Sequence, residues 1–203
     1  MNIKHLSLII LFLLPFLFIN AQKEIGNKQI GITFSSFGVN EPVYFTSLDG
    51  TGGYSSKSFY AFGLNYIHPL NNWLDIETGV EYAKHTITVT PSRPPEWDNP
   101  YNASFSLVNI PITVRANFWD YFFVNGGLLL DIDASSLSPI DSQSGIGAIL
   151  GIGAQYEFNN EVGLFINPYS KAHALIPFSS KKYHQRLMEL GVRIGLTYSF
   201  KAK

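Results

Sequence analysis

The chain has 203 residues, no cysteine, 14 basic and 15 acidic side chains, and only 14% charged residues against 46% hydrophobic and 15% aromatic ones. So low a charge density, with a net charge of -1, excludes disorder, a coiled coil and a nucleic-acid-binding surface, each of which needs dense charge. Without cysteine there is no disulfide framework and no thiolate metal site, and the length allows one domain or at most a small pair.

The first segment reads as a transport address. Lys4 and His5 precede the apolar stretch Leu6 to Ile19, and Asn20, Ala21 and Gln22 follow with a small residue where a signal peptidase would cut. Residues 1–21 are expected to be a signal peptide, leaving residues 22–203 as the mature domain. The stretch is shorter than the roughly 20 residues that span a bilayer as a helix, so an exported chain is expected.

Downstream, period-two alternation recurs, the mark of strands with two unlike faces. The predicted strands run in chain order from Gln29 to Phe37, Tyr60 to Leu70, Leu74 to Tyr82, Val108 to Phe118, Tyr121 to Ile132, Ile146 to Phe158, Val162 to Leu175 and Met188 to Phe200. The last is the clearest. Its even positions read Met188, Leu190, Val192, Ile194, Leu196, Tyr198 and Phe200, its odd positions Glu189, Gly191, Arg193, Gly195, Thr197 and Ser199. Val108 to Phe118 repeats the contrast, with Ile110, Ile112 and Val114 against Asn109, Thr113 and Arg115. Even residues are expected on one wall and odd residues on the other.

The joints alternate in length. Asn71–Asn72–Trp73, Trp119–Asp120 and Asn159–Asn160 are short turns, while about Gly38 to Lys57, His85 to Ser104, Asp133 to Ser144 and Pro177 to Tyr183 read as long loops rich in proline, glycine and serine. Aromatics gather beside the short turns, among them Tyr66, Trp73, Phe118, Trp119, Tyr121, Tyr156 and Phe158. A soluble β-sandwich or lipocalin-like barrel would explain the alternation equally well, but its second face would carry many lysines and glutamates. Here that face is mostly glycine, serine, asparagine and threonine, which suits a tight lumen. The expected fold is therefore all-β: an eight-stranded antiparallel transmembrane barrel with short periplasmic turns, long extracellular loops and an aromatic girdle.

With the segment Leu107-Val108-Asn109-Ile110-Pro111-Ile112 ending in Arg115, and the closing Tyr198-Ser199-Phe200, the chain resembles the small outer-membrane β-barrel proteins of Bacteroidota. That group is similar in architecture to the OmpA-type transmembrane domain and includes porin-family and PorT-like barrels. Two departures stand out: Lys201, Ala202 and Lys203 follow the last phenylalanine, and no peptidoglycan-binding domain is expected after the barrel. The resemblance implies the cell outer membrane, with its lipid as partner. It also implies a structural or surface-interaction role, or an accessory role in a secretion machine with a protein partner; a narrow pore is the other alternative.

Inward charges come in both signs: Glu77, Glu81, Glu157 and Glu189 against Arg115, Lys171 and Arg193, with His173 nearby. In an interior just wide enough for side chains, they are expected to pair rather than catalyse. Glu77 with Arg115, and Lys171 with Glu189, lie at matched heights on neighbouring strands. A lipid-deacylating barrel enzyme would carry a histidine and a serine two apart on its outer wall; the residues at that spacing here are His85 with Ile87 and His173 with Leu175. His85 and Ser92 are read as loop residues without partners. Histidines 68, 85, 173 and 184 fall in separate strands and loops without ligand spacing, and the loop carboxylates form no calcium-binding run. Neither a metal nor a cofactor is therefore expected. Arg93, Trp97 and Tyr101 in a proline-stiffened loop are the candidates for contact with a surface partner.

Overall fold

A computed structural model describes residues 27–45, 53–92, 99–158, 161–179 and 183–200. The expected signal peptide, Arg93, Trp97 and the turn asparagines Asn159 and Asn160 lie outside them.

Eight strands follow one another: β1 (Lys28–Val43), β2 (Gly53–Pro69), β3 (Leu74–Thr90), β4 (Tyr101–Phe118), β5 (Phe122–Asp133), β6 (Gly145–Glu157), β7 (Val162–Pro177) and β8 (Arg186–Phe200). Each pairs antiparallel with its chain neighbour, and β1 pairs with β8 to close the barrel. Closure satisfies the backbone groups that an open sheet would leave unpaired at its edges. Among the described residues, no helix is long and apolar enough to cross a membrane.

Outward positions are apolar over most of the wall: Ile32, Leu64, Val80, Ile112, Leu150 and Ile194 are all exposed, and all are even-numbered. Odd positions point inward and are buried, as with Asn65, Glu77, Asn109, Thr113, Arg115 and Arg193. The short joints lie at one end of the barrel. There Asn71 Oδ1 accepts hydrogen bonds from the backbone N–H groups of Trp73 (3.0 Å) and Leu74 (2.9 Å), an Asx turn. Trp119 and Asp120 both take left-handed backbone, at φ 51° and 59°. Aromatic rings pack beside these turns, Phe118 on Trp119 and Phe122, and Tyr156 on Tyr121 and Phe158.

At the opposite end the strands run farther than the alternation predicts. β3 continues through His85 to Thr90 and β4 begins at Tyr101, so His85 is a strand residue and the loop after it is shorter. The reason is an inversion of the two faces. Outside stand hydroxyl and amide groups that bond across the strands, Thr86 with Ser104 and Thr88 with Asn102. Inside stand Ile87, Phe105, Leu107 and Leu187, joined by Ile140 from the segment that connects β5 to β6. Gln143 from the same connection donates to the carbonyls of Asp141 (2.7 Å) and Gln185 (3.0 Å) and accepts from the N–H of Leu187 (2.8 Å), which ties the connection across the barrel mouth.

Three bulges interrupt the ladders toward this end, between Ser36 and Val39 on β1, between Ser56 and Ser58 on β2, and opposite Gly147 on β7, where Ala174 has φ 46°. A bulge inserts residues into one strand and re-aims its side chains. After the β1 bulge the even residue Asn40 points inward and is fully buried, so the even-out, odd-in rule fails on that stretch.

Candidate functional site

Among the described residues, the lumen is where the fold gathers chemistry-bearing side chains from around the barrel, and they lie in layers. Nearest the turns, Glu77 on β3 receives Arg193 Nη1 at 2.9 Å and Arg115 Nη1 at 3.9 Å, with the Asn65 amide at 3.3 Å. Arg115 also donates to Gln155, and its guanidinium lies 3.6 Å above the Phe123 ring. Phe123 and Phe165 occupy space left by Gly153 and Gly195. A Cβ at either glycine would collide with the ring opposite, so these two positions require glycine for the aromatic layer to form. Arg193 donates to Asn167 Oδ1 (3.0 Å), and Asn167 donates to Asn125 Oδ1 (3.2 Å), closing a polar girdle around the rings.

In the next layer Lys171 on β7 bridges Glu81 and Glu189, the latter at 3.3 Å. Asn109 donates to Glu81 (3.1 Å) and the Tyr169 hydroxyl to Glu189 Oε1 (2.7 Å). Above them stand two histidines. His173 Nδ1 lies 3.1 Å from Asp131 Oδ1, and Asp131 Oδ2 accepts the Ala174 N–H at 3.2 Å. His85 is sandwiched between Phe59 and Phe105, with ring centroids at 5.9 and 5.2 Å. Both Nε2 atoms point at Glu189 Oε2, at 3.5 Å from His85 and 3.8 Å from His173. The apolar cluster around Ile87 and Leu187 lies beyond.

Six sequence-derived candidates, Glu77, Glu81, Arg115, Lys171, Glu189 and Arg193, thus meet inside the barrel in two ion-paired layers. Glu157 does not join them. It stands exposed at the turn rim, where the lumen meets solvent, and accepts a hydrogen bond from Gln29 at 2.6 Å. Tyr101 opens β4 at the loop end and is 52% exposed. The expectation that the histidines fall apart is corrected for two of them. His85 and His173 are far apart in the chain, yet barrel closure sets both against Glu189, which sequence spacing along one strand cannot reveal. His68 packs on Tyr66, and His184 lies between β7 and β8.

No protein-family model matches the chain, and no curated protein matches it. Among solved structures it is similar to the outer membrane protein AlkL, determined by solid-state NMR in DMPC bilayers, with 12% identity, 88% of this chain and 92% of that chain covered, and a TM-score of 0.54. It is also similar to the outer membrane protein OprG from Pseudomonas aeruginosa, with 13% identity, 90% and 99% covered, and a TM-score of 0.56. At these identities the likeness is one of fold. The architecture is that of the small outer-membrane β-barrels.

Proposed function

We propose that the protein is an integral outer-membrane barrel with a packed lumen, acting through the surface of its loop end rather than by catalysis or bulk transport. The observation that carries this reading is the outward wall, where Ile32, Leu64, Val80, Ile112, Leu150 and Ile194 belong to an apolar surface that encircles the barrel. A water-soluble domain rarely exposes a contiguous apolar patch beyond a few hundred Å², whereas a lipid-facing band needs such a surface. The aromatic rings beside the short turns fit the interfacial girdle of a bilayer. Within the wall, paired charges and stacked rings fill the space through which a porin would conduct. The loop end, with Tyr101 among its exposed residues, is the surface that a protein partner would meet.

The test is fractionation with a folding readout. The protein should stay with membranes through alkaline carbonate extraction and should migrate differently on gels with and without boiling. Release into the soluble fraction would contradict membrane insertion.

A further inference from the structure

Three buried ligand atoms converge in the upper lumen, His85 Nε2, His173 Nε2 and Glu189 Oε2; they approach one another at 3.5 and 3.8 Å but make no well-formed hydrogen bond among the described residues. They lie within 4.8 Å of one another, and all three residues are fully buried. Such groups are rarely left unsatisfied in a folded interior. We propose that they form a binding site for a divalent transition-metal ion, of which zinc is the natural probe.

Geometry supports the assignment. Ligands about 2.0–2.1 Å from a tetrahedral zinc ion lie roughly 3.3 Å from one another, and the two histidine-to-glutamate separations are 3.5 and 3.8 Å. All three ligand atoms lie within 4.8 Å of one another, so the two imidazoles must draw together to complete the triangle. Two imidazoles and one carboxylate are a donor set for zinc and its transition-metal neighbours rather than for magnesium or calcium, which favour oxygen.

The surroundings orient each ligand. The carboxylate of Asp131 faces His173 Nδ1 and fixes a proton there, so that Nε2, once deprotonated by the incoming ion, directs its lone pair at the cluster. This carboxylate–histidine arrangement is the usual outer shell of a metal-bound histidine. The bulge at Ala174 presents the backbone N–H that anchors Asp131, and so couples the ligand's orientation to the strand's irregularity. Phe59 and Phe105 fix the plane of His85. Tyr169 and Lys171 engage Glu189 through Oε1 and leave Oε2 for the ion.

Charge points the same way. The layer holds the carboxylates of Glu81, Asp131 and Glu189 against the single ammonium of Lys171. Two negative charges then remain to be compensated, either by protonation of the imidazoles or by an ion that displaces those protons. A divalent cation balances both. The layer nearer the turns needs no ion, because Asp75 and Glu77 face Arg115 and Arg193.

The experiment uses tag-free, detergent-purified full-length protein stripped with a chelator, and titrates zinc calorimetrically alongside cobalt as an absorbing substitute. The expected result is one zinc per chain, a raised thermal midpoint, and a visible cobalt spectrum of nitrogen and oxygen coordination. His85→Ala, His173→Ala and Glu189→Gln should each abolish this stoichiometric binding. Asp131→Asn, which leaves all three ligands in place, should weaken it about 10–100-fold, and His68→Ala should leave it unchanged. Circular dichroism establishes that each variant is folded. Where a variant does not fold, the cobalt spectrum and the thermal shift of the unmodified protein decide. Absence of stoichiometric zinc binding by the folded, unmodified protein would overturn the proposal, as would equal binding by the folded His85→Ala and His173→Ala variants.

Discussion

Glu77 shows how a single residue governs the lower lumen. Its carboxylate lies between two guanidiniums that have no reason to approach each other without it, and all three side chains are essentially removed from solvent. Breaking a buried ion pair from one side leaves uncompensated charge and costs about 3–5 kcal/mol. Glu77→Gln keeps the shape and removes the charge, so it should destabilise the barrel by about that amount in urea unfolding. A loss below about 1 kcal/mol, the range of an exposed pair, would mean that water reaches the layer. Residue pattern alone identifies the pairing of Glu77 with Arg115 and of Lys171 with Glu189, because neighbouring strands bring matched heights together. It does not identify Arg193 as the nearer partner of Glu77. β3 and β8 are not neighbours, and their contact runs through the barrel interior rather than along the sheet.

At the scale of the strand, alternation is informative only while its two faces differ in polarity in a constant sense. Along β4 the outward residues Val114 and Ile112 are apolar and the inward Arg115 and Thr113 polar. Nearer the loop end Ser104 faces out while Phe105 and Leu107 face in. The contrast reverses, and a reading tuned to apolar-out strands ends the element there. This is why β3 and β4 are longer than expected and why His85 is taken for a loop residue. On the proposed membrane reading, the reversal also marks the edge of the lipid-facing band. Ile112→Arg, on the apolar wall, should cost about 2–4 kcal/mol, whereas Ser104→Arg, at the polar rim, should cost about 0–1 kcal/mol. Refolding equilibria in lipid vesicles measure both, and equal costs would contradict a depth-dependent lipid contact. Bulges are the second feature that alternation misses. An inserted residue such as that before Val39 changes which parity points inward, so Asn40 enters the lumen although its number places it outside.

Over the whole molecule, the eight-stranded architecture is legible because it follows from many repeats of one local pattern and from the alternation of short and long joints. The histidine cluster is not legible, because it depends on closure. Only when β1 meets β8 do β3, β7 and β8 surround a common axis and set His85, His173 and Glu189 together. On the proposed reading, this closed wall has lipid outside and packed side chains inside. Since the chain contains no cysteine, single cysteines at Ile112 and Thr113 can report the two sides without background. In intact membranes a small charged thiol reagent should modify neither residue, should modify a cysteine at Ser104 on the exposed rim, and should modify all three after unfolding. Modification at Ile112 in the folded protein would place the outward wall in water, and modification at Thr113 would show a water-filled lumen; either result would contradict a lipid-facing wall around a packed interior.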